Sequence, residues 1–148
     1  MKKYIHYGHD RFLPHRFKPI EDDSCLPKPW NGLWGSPVDS KRGWKEWCED
    51  EEFRTNRLNK HFIFTLREDA NVLLIDSVDT LRSIPKRNDW PFDSLWTKID
   101  FKALVRAGVD AVEVSISSDY RLNWILYGWD CDSIVVMNPD VILTVPET

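Results

Sequence analysis

With 148 residues, 42% of them hydrophobic and 30% charged, the chain has the length and mix of one globular domain with a single core. A net charge of −4 without any basic block excludes strong, sequence-blind binding to phosphate backbones. No apolar run approaches the roughly 20 residues that span a bilayer, and the start, MKKYIHYGHD, lacks the apolar stretch of a signal peptide, so no membrane partner is expected. Cys25, Cys48 and Cys131 form no CxxC pair, which argues against a disulfide framework or zinc site and fits the cytoplasm. His6, His9, His15 and His61 lack HExxH spacing, so no catalytic metal is expected either. The eight Trp, seven Phe and four Tyr either fill a small core or line a site for a flat ligand.

In chain order, residues 3–9 alternate as a strand, with Ile5 on one face and Tyr4 and His6 on the other. His6 then faces either the core or a groove. Residues 10–31 form a long loop punctuated by Pro14, Pro19, Pro27 and Pro29, long enough to be a binding loop. Asn31-Gly32 is a turn signal before a short strand at 33–36, where two glycines flank Trp34 and let a ligand approach the backbone. Asp39 or Ser40 is expected to cap a helix running to about residue 53, with Trp44 and Trp47 three apart on one face. That pair is either the buried stripe of the helix or part of a site.

Residues 61–66 and 71–76 read as strands joined by a polar turn, and Asp76 or Ser77 caps a short helix to residue 84. A further helix is expected from Asp93 or Ser94 to the stop at Gly108. Strands follow at 109–116, 132–137 and 141–145, with a crossing rich in Trp and Tyr between the first two. Asp130 and Asp132 stand where this crossing enters the second of these strands. They are either turn residues or carboxylates at the strand's mouth whose surroundings tune their ionisation. The irregular order of strands and helices predicts an α+β domain with a mixed sheet and not a doubly wound one.

Three stretches together resemble the ADP-ribosyltransferase superfamily of diphtheria toxin and the poly(ADP-ribose) polymerases, with its His-Tyr-Glu signature. Tyr4-Ile5-His6-Tyr7-Gly8 is similar to the family's Tyr-His-Gly strand, and Gly32-Leu33-Trp34-Gly35-Ser36 to its Gly-aromatic strand. Trp44 falls near the second nicotinamide-stacking aromatic. The ending Asp132-Ser133-Ile134-Val135-Val136-Met137-Asn138-Pro139-Asp140-Val141-Ile142 looks like Glu-Tyr-Val-Val-Phe-Asp-Pro-Glu-Gln-Ile, with Asp132 standing for the signature Glu.

The resemblance implies a split mixed sheet with flanking helices, formed by the whole of residues 1–148, and NAD as co-substrate in the cleft between half-sheets. It implies His6, Tyr7, Trp34, Ser36, Trp44 and Trp47 as NAD-binding residues and His6 with Asp132 as the catalytic pair; Glu113, on the preceding strand, is a second candidate carboxylate. Cleaving the nicotinamide–ribose bond builds positive charge on the ribose carbon, which a fixed carboxylate stabilises, as in glycoside hydrolysis. The acceptor of ADP-ribose is left open among a protein, a nucleic acid, a small molecule and water. Two other classes also stay open: a catalytically inactive module that binds a nucleotide or protein in the same groove, and an interaction protein with an aromatic contact surface.

Overall fold

The computed structural model describes residues 1–24, 26–87 and 97–145, so Cys25 and the expected helix start at Asp93 or Ser94 lie outside the described residues. Seven strands form one mixed sheet: β1 (Tyr4–Tyr7), β2 (Leu33–Pro37), β3 (His61–Leu66), β4 (Val72–Ile75), β5 (Ala111–Val114), β6 (Ser133–Val136) and β7 (Ile142–Thr144). Among the described residues four short α-helices accompany them: α1 (Trp44–Asp50), α2 (Val78–Arg82), α3 (Phe101–Arg106) and α4 (Arg121–Ile125). The expected α+β class and mixed sheet are therefore present. The strand order is β4-β5-β6-β2-β1-β3-β7, with β4 parallel to β5 and the other neighbours antiparallel.

Strand β2 changes partner along its length. Leu33, Trp34 and Gly35 pair with Val136, Val135 and Ile134 of β6, whereas Ser36 and Pro37 pair with Ile5 and Tyr4 of β1. The two halves of the sheet thus meet on one strand and diverge at its middle. Gly35 stands at the hand-over, where a Cβ would come within 2.9 Å of the Phe64 ring and 3.1 Å of the Ile5 carbonyl, so only glycine lets the strands close here.

Alternation assigns each side chain of the central strands to one of two cores. Val112, Val114 and Val135 join Ile75, Phe101, Leu104, Leu122 and Trp129 on the face covered by helices. Ala111, Ile134 and Val136 join Tyr4, Phe62, Phe64 and Val141 on the other. Strands β5 and β6 are buried throughout, which explains why their sequences read as nearly unbroken apolar runs.

Two helix starts differ from expectation. Helix α1 is preceded by Gly43, not capped by Asp39 or Ser40; the Ser36 hydroxyl accepts from Trp44 N–H at 2.9 Å, while the Ser40 hydroxyl is turned to Asp132 and to Arg42 N–H. Helix α3 begins only at Phe101, because Ile99 bridges to Lys86 and the Asp100 side chain caps Ala103 N–H at 2.9 Å. Ser77 caps α2 as expected, accepting from Thr80 N–H. Among the described residues no helix is long and apolar enough to cross a membrane.

Candidate functional site

A cleft of about 220 Å³ opens where β2 changes partner. Ile5 and Tyr7 of β1, Trp34 and Ser36 of β2 and Ser133 of β6 project into it from the same face of the sheet. Trp44, from the start of α1, closes one side. The chain before β6 adds Trp129, Asp130 and Cys131, and the long loop adds Lys28; Arg54 and Arg57 supply two further cations.

His6 sits at the rim, in the gap between the diverging strands, and lines both this cleft and a smaller neighbouring cavity. Its Nδ1 lies 2.7 Å from the Trp34 carbonyl oxygen and its Nε2 2.9 Å from His9 Nδ1. A carbonyl can only accept, so Nδ1 carries the hydrogen and Nε2 accepts from His9 Nδ1–H. Burial holds the His6 pKa below the ordinary histidine range, against the pull of the Trp34 carbonyl, and favours the neutral imidazole that this pair of bonds requires. Phe62 fixes the ring from behind, with centroids 5.0 Å apart.

The indoles are held rigidly. Trp34 donates its Nε1–H to the Asn31 carbonyl at 2.9 Å and packs against Trp129 at 4.8 Å between centroids. Trp44 stacks on Trp47 at 5.2 Å, and Phe53 meets both rings edge-on. Trp47 therefore supports Trp44 from behind and does not line the cleft. Burial pushes the Cys131 thiol up to about 11, which disfavours its thiolate at neutral pH. Desolvation also raises the pKa of Asp130, which the Lys28 charge partly offsets.

Of the residues singled out from sequence, His6, Tyr7, Trp34, Ser36 and Trp44 converge on this cleft, whereas Asp132 and Glu113 do not. The reason is period-two alternation. Asp132 shares its face with Ile134 and Val136, and Glu113 lies opposite Ile134, so both carboxylates emerge on the far side of the sheet. There they line a polar cavity of about 330 Å³. Asp132 accepts from Ser117 N–H at 2.9 Å, the Ser117 hydroxyl at 2.7 Å and the Ser40 hydroxyl at 2.8 Å. Glu113 accepts from the Tyr4 hydroxyl at 2.6 Å and from the Lys2 ammonium. Burial, reinforced by the Glu113 carboxylate, pushes the Tyr4 phenol well above its usual range.

Asp130, singled out from sequence beside Asp132, does line the cleft, whereas Lys28, Arg54, Arg57, Trp129 and Ser133 are among its residues that sequence reasoning left out. Counting back from Asn138-Pro139 finds Ser133: four residues separate Glu from Asp-Pro in the family pattern, and four separate Ser133 from Asn138 here. No local signal marks Lys28, which arrives from the loop by tertiary folding.

Among the described residues no group of three or more His, Cys, Asp or Glu could hold a metal ion. No family model, curated protein or solved structure matches the chain.

Proposed function

We propose that the cleft binds NAD and that the chain is an ADP-ribosyltransferase-like enzyme, with Asp130 in place of Asp132 as the carboxylate of the reaction. The observation that carries this reading is the convergence of Tyr7, Trp34, Ser36 and Trp44 on one cleft at the divergence of the sheet, with a neutral His6 at its rim. These are the positions that the resemblance assigns to NAD, drawn from three separate elements. Trp34 and Trp44 present faces to the nicotinamide ring and keep water from it. His6 offers Nε2, taken by His9 in the free protein, to a ribose hydroxyl. Arg54 and Arg57 complement the diphosphate.

In the reaction the bond between C1′ of ribose and the nicotinamide nitrogen breaks, and its electron pair leaves with neutral nicotinamide. The acceptor attacks C1′ and gives up its proton. The Asp130 carboxylate stabilises the positive charge that develops on the ribose between these events.

A second reading is a module that binds NAD without turning it over. Ser133 favours it, because the inward position at the mouth of β6 holds a hydroxyl and not a carboxylate. Titrating NAD against tryptophan fluorescence tests what the two readings share: saturable quenching, weakened at least tenfold by Trp44→Leu, is expected from a loss of roughly 1.4 kcal/mol of ring contact. An unresponsive spectrum would remove both. Nicotinamide release, followed chromatographically, then separates enzyme from binder.

A further inference from the structure

Lys28 reaches the cleft from the long loop, between Pro27 and Pro29, two residues that stiffen its backbone. The loop is tied down on either side. Leu26 N–H donates to Asp23 at 2.9 Å, and Glu21 and Trp30 exchange backbone hydrogen bonds of 3.0 and 2.8 Å. The Lys28 stem passes over Gly128, where a Cβ would lie 3.1 Å from that of Lys28 and where φ of +97° favours glycine. Its ammonium ends 4.8 Å from the centre of the Trp34 ring and 5.8 Å from that of Trp44. Both distances fall within the roughly 6 Å over which an indole face attracts a cation. The chain's own positive charge thus lies over the two faces assigned above to the ligand ring, with Asp130 near enough to feel its field.

We infer that Trp34 and Trp44 form a cation cage that selects a positively charged ring, and that Lys28 occupies this cage in the free protein as a built-in competitor displaced by that ligand. The inference rests on the NAD reading and sharpens it. The nicotinamide ring of oxidised NAD is a cation, whereas the dihydropyridine ring of the reduced form and free nicotinamide are neutral. Only the oxidised form gains the cation–π attraction that Lys28 gives up. Neutral nicotinamide, once released, cannot hold the cage against the returning ammonium, so the same device expels product.

Four probes test this by tryptophan fluorescence: NAD, its reduced form, 1-methylnicotinamide as a permanent cation, and neutral nicotinamide. Lys28→Met keeps the stem over Gly128 and removes the charge. For the unaltered protein, 1-methylnicotinamide is expected to bind about tenfold more tightly than nicotinamide, the factor equivalent to a cation–π contact of 1.4 kcal/mol. Lys28→Met is expected to tighten the binding of both 1-methylnicotinamide and NAD about fivefold to tenfold, through loss of the competing cation. Equal binding of the charged and neutral rings would overturn the cage, and weaker binding of NAD by Lys28→Met would make Lys28 a ligand contact instead of a competitor. A cation preference in a protein that never releases nicotinamide would leave the cage standing and remove the enzyme reading. Release of nicotinamide without that preference would do the reverse.

Discussion

Two cavities flank strand β6, and they differ in their walls, one aromatic and one wholly polar apart from Pro37. The one on the helix-covered face is walled by indoles, holds its cations over ring faces and leaves Asp130 exposed on one side. The one on the other face is walled by serines, by Lys2, Lys41 and Arg42 and by three carboxylates, of which Glu113 and Asp132 are buried and already bound by hydroxyl, amide or ammonium donors. A carboxylate whose lone pairs are committed to fixed donors rigidifies the fold. It has little left to offer a developing charge. Asp130, which lines the aromatic cleft with one side open to solvent, is the less satisfied acid and the one proposed above for the reaction. The difference teaches that alternation turns Glu113 and Asp132 to the far face, whereas Asp130, two residues earlier in the irregular segment before β6, is brought to the cleft by the path of that segment.

Substitutions that break one side should spare the other. The largest loss of stability is expected from Trp129→Ala. This ring is 1% exposed and packs between Trp34 and Phe101, so its removal should cost about 3–5 kcal/mol in denaturant unfolding. Asp132→Asn comes next, at about 1.5–3 kcal/mol, because three donors lose a charged acceptor. NAD affinity of the folded Asp132→Asn protein should nevertheless match that of the unaltered chain. Asp130→Asn, at an exposed position, should change stability by no more than about 0.5 kcal/mol. A large destabilisation there would place Asp130 among the structural acids and erase the contrast.

The smallest effect is one of pH. Burial lowers the His6 pKa below its ordinary 6.5, so the folded state resists taking up that proton. Above pH 6.5 both the folded and unfolded chains hold this imidazole neutral, and its contribution to stability is complete. As pH falls through 6.5 the unfolded chain protonates first and folding weakens, until the folded imidazole titrates as well. Replacing His6 by Gln should flatten this part of the stability profile below pH 6.5. An unchanged slope would show that other groups carry it.

Much of this architecture was legible in the sequence, and the reasons differ by region. The strand HFIFTL declares itself through aromatic and β-branched residues, and β3 occupies those six positions. The order of strands and helices follows as well, because caps such as Ser77 and stops such as Gly108 are local signals. Local signals do not fix which strands become neighbours. β3 and β4 follow one another in the chain yet lie towards opposite ends of the sheet. The cleft was half legible. Tyr7, Trp34 and Ser36, assigned by the resemblance, line it because they share one face of β1 and β2, whereas the carboxylate read at Asp132 belongs to the opposite face of the sheet. Lys28 could not be foreseen, since nothing in a proline-rich loop says where its side chain will end.

Nicotinamide release from NAD by Asp130→Asn and Asp132→Asn, compared at equal folded fraction, tests the account most directly. Asp130→Asn should slow release at least a hundredfold, the scale of removing a preorganised charge from a developing transition state, with NAD still quenching fluorescence. Asp132→Asn should release nicotinamide at close to the unaltered rate. The opposite pattern, with release surviving at position 130 and lost at position 132, would place the chemistry on the far side of the sheet and contradict the account.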